Sequence, residues 1–474
     1  MRRIGGGDVR SFSRRDRTVL IAAAMAALVV QLNWLSVNTA LPEIAGDLNR
    51  SPTDLHWLVT AFMLGFGGAM SVTGWVTQAV GVRRTTAYGF FFFLLSSLVC
   101  AAASSLSWLI VGRALQGVVG AFVLPGAVAM TAGAFRGRQR DIAVGFVLAA
   151  SGAGAASAPF VGGLLAEAFG WRAVFLANVP VALIAIVFVR WRLPAPTGPK
   201  GAGRRTPLVT GACITLSSIG LAVTADRGTA WGWSSTSTLT CLSLSLGLLA
   251  VYVILERDSS GGVRKRTLYR DRPLHVLTIA GSTSVVGLVI VSTFSMLHLQ
   301  DGLGLSVLVA GSAFLGFSIP HTLAAYAAGH LGRLRNAHAL LTLTLALTAA
   351  GVATLTAESF PGVYVTALAV CGAGFGLTSG LTNVLVQHRV TPDQAGVVSR
   401  QSLAIQYLAA AVATSFASTS LESLHHRVAG AATDTGAIDV IRRAAALLLI
   451  VGALVTLPTT VRTLRHQQSE PQRD

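Results

Sequence analysis

The stretch VLIAAAMAALVVQLNWLSVNTALP, Val19 to Pro42, decides what kind of protein this is. As a helix it is long enough to cross the hydrocarbon core of a bilayer, which takes about 20 apolar residues. Its second half nevertheless carries Gln31, Asn33, Trp34 and Asn38. Polar side chains at membrane depth are costly, so they face a cavity or a partner helix instead of lipid. Gln31, Trp34 and Asn38 fall at i, i+3 and i+7 and share one helical face, with Asn33 about a hundred degrees away beside it. A spanning helix with such a face implies a bundle built around something polar.

The rest of the 474-residue chain agrees: it is 53% hydrophobic and 12% charged, with mean hydropathy +0.65. Soluble domains carry about 25% charged residues. Apolar runs recur near 18–40, 55–79, 85–105, 107–131, 141–166, 172–190, 206–225, 234–255, 273–299, 305–328, 338–357, 361–387, 396–421 and 440–461, which predicts fourteen transmembrane helices. The first run is a full span without a convincing cleavage site, so it is expected to stay as an anchor. The fold class expected is therefore an all-α polytopic membrane protein.

The net charge of +17 does not read as a nucleic-acid footprint, which needs base gathered on one face of a soluble domain. Here Lys and Arg fill alternate gaps between the runs: the N-terminal tail, Arg83 and Arg84, Arg136 to Arg140, Arg190 to Arg205, Arg257 to Arg272, Arg333 and Arg335, and Arg389. The gaps between hold Glu43, Asp47, Asp54, Asp226, Asp301 and Glu358. Positive loops mark the cytoplasmic side, so both termini are expected in the cytoplasm and the lipid bilayer is the partner. The gaps before Pro207 and before Pro273 are rich in Pro, Gly and base and set one helical hairpin apart. The expected organisation is 6 + 2 + 6: a tail at 1–17, a six-helix half at 18–192, a linker with two inserted helices at 193–272, a second half at 273–462 and a tail at 463–474. The chain is expected to act as a monomer.

Cys100, Cys213, Cys241 and Cys371 all sit in apolar runs without CxxC spacing, so neither a disulfide framework nor a metal site is expected. No nucleotide-binding loop, metal-ligand cluster or nucleophile motif stands out. Neither an enzyme nor a cofactor is expected.

Three segments carry a resemblance. GWVTQAVGVRR, Gly74 to Arg84, resembles the cytoplasmic loop signature of the major facilitator superfamily, with Gly74, Gly81, Arg83 and Arg84 in place and Gln78 where that signature has aspartate. GRALQGVVGAFVLPG, Gly112 to Gly126, looks like its fourth-span motif, with Arg113 inside the membrane and Gln116 after it. GAGAASAPFVGG, Gly152 to Gly163, is similar to the fifth-span antiporter motif of its exporters, through Gly154, Pro159, Gly162 and Gly163. With GWRAVFLANVP from Gly170 and GAGFGLTSGLTN from Gly372, the likeness covers nearly the whole chain and is to the fourteen-span drug:proton antiporter (multidrug efflux) family. That resemblance implies the major facilitator fold, alternating access around a midplane cavity and export of a small organic drug or natural product against protons. The alternative is an uncoupled or facilitated transporter of the same fold; a non-transporting membrane protein is the weaker rival. High Ala, Gly and Arg content points to a bacterial cell membrane.

The proton has no obvious carrier. The resemblance aligns Asn33 with an aspartate in the first-span pattern of the family, and all 19 acids fall in tails, loops or near span ends. Histidine is the substitute, since its ordinary pKa near 6.5 suits the task. His321, after Pro320 in the tenth run, is the expected coupling group, with His298 as second candidate. The expected cavity is lined by Gln31, Asn33, Trp34, Asn38, Arg113 and Gln116 from the first half and Asn383, Gln387, Gln401 and Gln406 from the second. An aromatic surface with amides suits a moderately polar or aromatic compound.

Overall fold

The computed structural model describes residues 14–50, 52–135, 137–192, 206–258, 272–332, 334, 336–355, 361–390, 392–428 and 435–469. The basic gaps 193–205 and 259–271 and most of both tails, on which much of the charge reading rests, lie outside the described residues, as does the side chain of Gln78.

Every regular element among these residues is helical. The helices are α1 (Arg14–Leu48), α2 (His56–Val80), α3 (Val82–Ala101), α4 (Leu106–Ala134), α5 (Gly137–Phe169), α6 (Trp171–Leu176), α7 (Asn178–Arg192), α8 (Thr206–Trp231), α9 (Thr236–Asp258), α10 (Arg272–Leu297), α11 (Val307–Ala313), α12 (Leu315–Leu331), α13 (Ala337–Thr354), α14 (Pro361–His388), α15 (Pro392–Val428) and α16 (Thr435–Ser469). A 3-10 turn at Pro52–Leu55 leads into α2, and a π-helical turn at His298–Gly302 ends α10. Ten stretches among the described residues are long and apolar enough to cross a membrane. His56–Met70 and Trp171–Val187 add two shorter apolar helices. Helices dominate because backbone N–H and C=O groups must be satisfied internally where no water can reach them.

The surface carries the apolar belt that lipid requires. Phe91 and Phe92 are exposed while Phe90 and Phe93 are fully buried. A run of four phenylalanines thus divides between lipid and core by helical period alone. Leu244, Leu323 and Leu454 are also exposed, a pattern that would be a liability in water.

Packing repeats between two sets of helices. In the first set α1 packs on α5, α2 on α4, and α3 on α4 and α7; in the second, α10 packs on α15, α12 on α14, and α13 on α14 and α16. The closest approaches repeat as well. Gly117 of α4 lies against the Phe62 carbonyl of α2, and Gly372 of α14 against the Phe317 carbonyl of α12, so a side chain at either glycine would strike backbone. α8 and α9 pack on each other, and α8 also touches α2 and α15.

The two sets meet along two seams, α2 with α15 and α5 with α11 and α12. At the second seam Ser318 Oγ donates to the Ala156 carbonyl (2.6 Å) and Thr322 Oγ1 to the Gly152 carbonyl (2.9 Å). The Leu308 amide donates to Glu167 Oε2 (2.9 Å) at the far end, where α1 finishes. A third link joins α10 to α1 there, with Gln300 Nε2 donating to the Thr39 carbonyl (3.2 Å).

Candidate functional site

At the middle of α1, α2 and α15 three aromatic rings meet across the sets. Trp34 stands 5.5 Å from Tyr407 between ring centroids, and Phe66 4.6 Å from the same Tyr407. All three are buried. Beside them Gln406 packs against Gly281 of α10 and donates to Ser402 Oγ (3.0 Å). Trp34 and Gln406 are among the lining residues expected from the sequence; Phe66 is hidden among the apolar residues of α2.

His321 belongs to the same layer by repetition. Phe62 and Phe66 stack one turn apart on α2, at 6.0 Å and 16° between planes. Phe317 and His321 stack one turn apart on α12, at 6.1 Å and 14°. Since the glycine contacts pair Phe62 with Phe317, His321 occupies in the second set the place that Phe66 occupies in the first. The half-buried ring follows Pro320, which breaks the backbone hydrogen-bond ladder there. His298 lies elsewhere, in the π-helical turn at the far end. Its ring is 5.4 Å from that of Tyr364. Tyr364 in turn accepts a hydrogen bond from the buried Arg442 (2.8 Å).

A second cluster fills the first set. Arg113 of α4 is fully buried. Its Nε donates to the Leu58 carbonyl (3.1 Å), and its Nη1 donates to Gln116 Oε1 (3.0 Å) and the Asn33 carbonyl (3.5 Å). The guanidinium lies 4.6 Å from the centre of the Phe62 ring. Gln116 Nε2 donates to Ser97 Oγ (2.9 Å), and Asn178 Nδ2 donates to Asn33 Oδ1 (2.8 Å) and Ser97 Oγ (3.5 Å). Five helices, α1, α2, α3, α4 and α7, are thereby tied by neutral polar groups and one cation. Asn178 and Ser97 were not expected here. The signal for Asn178 was available, because it sits at the break between α6 and α7, where freed backbone groups favour a polar residue.

The other expected lining residues scatter. Gln31 is half-buried, Asn38 is buried with an Oδ1 that meets no hydrogen-bond donor, and Gln401 and Asn383 are half-buried. Gln387 is exposed at the end of α14, one turn past the layer that Asn383 occupies.

The small residues of the three sequence segments hold this geometry. Gly81 takes φ 92° and joins α2 to α3 directly, a turn that strains any residue with a Cβ. Gly74 packs under the Arg400 guanidinium of α15. Arg83 is half-buried and Arg84 exposed. Gly154 and Gly162 of α5 lie against the Leu28 and Ser36 carbonyls of α1, Gly163 against the Val307 carbonyl, and the Pro159 carbonyl against Gly311 of α11. One helix thus packs tightly on α1 with one face and on the opposite set with another, which small residues allow. Among the described residues no group of three or more His, Cys, Asp or Glu could hold a metal ion.

The sequence has known relatives. The sequence profile of the Major Facilitator Superfamily matches residues 23–414. The puromycin resistance protein pur8 of Streptomyces alboniger is 32% identical over 395 residues, covering 80% of this chain and 76% of that protein. The tetracenomycin C resistance and export protein of Streptomyces glaucescens is 27% identical over 389 residues, 79% of this chain and 70% of that one. The riboflavin transporter RibZ of Clostridioides difficile (strain 630) is 27% identical over 412 residues, 85% and 87% respectively. The profile spans the first set of helices and the second as far as Thr414 in α15, and the chain belongs to the Major Facilitator Superfamily.

Proposed function

We propose that this protein exports a small organic compound across a bacterial cell membrane by alternating access, in the manner that the names of the puromycin and tetracenomycin relatives suggest. The observation that carries the reading is the ring cluster of Trp34, Phe66 and Tyr407, buried near the middle of α1, α2 and α15 where the two sets of helices meet. An apolar, aromatic layer with Gln406 beside it can hold a drug-like molecule by stacking and one or two hydrogen bonds. Rocking of the sets about the layer would open it to either side.

The fourteen-span, 6 + 2 + 6 organisation is part of the proposal. α6 with α7 and α11 with α12 each count as one broken span, and α2, α15 and α16 join the apolar stretches to complete the number. The halves are 18–192 and 273–462, with α8 and α9 inserted and both termini cytoplasmic. The protein works as a monomer.

Proton antiport would run through His321, the titratable ring in the midplane layer. Efflux of an aromatic substrate from vesicles with and without an imposed pH gradient tests this. A gradient-driven efflux that becomes gradient-insensitive in His321→Ala supports coupling there. Efflux that ignores the gradient in the unaltered protein favours the uncoupled alternative, which the neutral surroundings of Arg113 and Asn33 support.

A further inference from the structure

We infer that the cluster around Arg113 binds an anionic oxygen of the transported compound, a carboxylate or phenolate, with Arg113 Nη2 and Asn33 Nδ2 as donors. The inference rests on the export reading above and names the class of cargo that it leaves open.

Arg113 and Asn33 are both 0% exposed. Each keeps one buried donor, Nη2 and Nδ2, with no acceptor in the protein. The two residues touch, through Nη1 and the Asn33 carbonyl, so both open donors belong to one cluster. The nearby acceptors are already engaged: Gln116 Oε1 and the Leu58 carbonyl by Arg113, Asn33 Oδ1 by Asn178. Buried donors are nearly always matched, so two in one place point to a partner from outside the chain.

Charge decides what that partner is. The guanidinium stays protonated, yet every group hydrogen-bonded to it or to its neighbours in the cluster is neutral. Glu43 and Asp47 of α1 stand about 15 and 21 Å further along the helix than Asn33, by rise per residue. They engage Trp171 and Arg172 at the far end. Water would complete the hydrogen bonds and leave the charge; an anionic oxygen answers both.

The site is also continuous with the midplane layer. Arg113 lies over Phe62, Phe62 stacks on Phe66, and Phe66 meets Tyr407. An aromatic acid with its ring in the layer would carry its charged oxygen toward Arg113. The fitting cargo is an aromatic organic anion.

The test uses the full chain in lipid nanodiscs, titrated calorimetrically with 2-naphthoate, 2-naphthamide and chloride. 2-Naphthoate should bind at least tenfold tighter than the amide. That preference should fall below threefold in Arg113→Gln and in Asn33→Asp, which keeps the size of the residue and supplies an internal carboxylate. Asn33→Asp covers the case in which Arg113→Gln does not fold. Equal or undetectable binding of the two compounds would overturn the inference, as would a preference that survives Asn33→Asp. Chloride binding that abolishes the preference for 2-naphthoate would mark an inorganic-anion site and overturn it too. Efflux measured on the same two compounds separates the readings: export of both at equal rates leaves export standing and removes the anion site, while a binding preference without any export does the reverse.

Discussion

If two sets of helices rock about a midplane layer, one methyl group at their seam should bias the motion without loosening either set. Gly311 of α11 is such a place. A Cβ there would stand 2.5 Å from the Pro159 carbonyl oxygen and 3.1 Å from its carbon. Ordinary C···O contacts are about 3.3 to 3.6 Å, so α11 and α5 must separate by about 0.8 Å or more. Overpacking of this kind costs roughly 1–3 kcal/mol, and here the cost falls only on the state in which the seam is closed. Gly311→Ala should therefore shift the equilibrium toward the state with this seam open by about 5- to 150-fold. Gly154→Ala is the internal control, because it strikes the Leu28 carbonyl within the first set and should lower the melting temperature in every state. The assay is the electron–electron distance between spin labels at Phe169, the last residue of α5, and Leu303, in the segment between α10 and α11, both exposed, with the four cysteines replaced. Gly311→Ala should move population to a longer distance. An unchanged distribution, with the variant folded, would refute the rigid-seam reasoning.

Asn178→Ala removes the donor that satisfies Asn33 Oδ1 and should cost about 1–3 kcal/mol of stability, read as thermal unfolding in detergent. Asp47→Asn breaks a bridge to Arg172 whose two partners are each 44% exposed; exposed pairs contribute about 0–1 kcal/mol, so its melting temperature should hardly move. Gly81→Ala forces a Cβ into φ 92° and should cost about 1–2 kcal/mol, while Ala79→Gly on the exposed end of α2 should not exceed 1 kcal/mol or so. If the cargo is an organic anion, an interior-negative potential should favour its exit by about 2.3 kcal/mol per 100 mV. Valinomycin-clamped vesicles report this as a rise in 2-naphthoate efflux that 2-naphthamide does not share.

Helix positions were legible in the sequence because each apolar run must be about as long as the bilayer is thick, and loop glycines and prolines punctuate them. α1 is the clearest instance, its polar stripe announcing buried partners before any partner was known. Less legible were the breaks: the predicted sixth and tenth runs are each two helices, interrupted at Ala177 and Phe314, where hydropathy shows no gap. Arg113 and Gln116 were readable as a pair, being one turn apart on α4. Asn178 and Ser97 complete their cluster from helices far away in sequence, and only packing could bring them there. The place of His321 was likewise invisible until Gly117 and Gly372 showed which turns of the two sets correspond. Gln387 shows the limit of helical spacing, which places it one turn past Asn383 on the same face although it lies at the exposed end of α14, one residue before His388.

On the proposed function, the ring layer is a path for drug-like molecules out of the cell. Accumulation of an aromatic dye in cells stripped of their own efflux pumps tests it most directly, with this protein or its Tyr407→Ala variant expressed to equal levels in the membrane. Steady-state dye should be lower with the unaltered protein and should return toward the empty-vector level with Tyr407→Ala. Across a panel of aromatic dyes, accumulation indistinguishable from the empty vector for every dye, or equal lowering by both proteins, would contradict it.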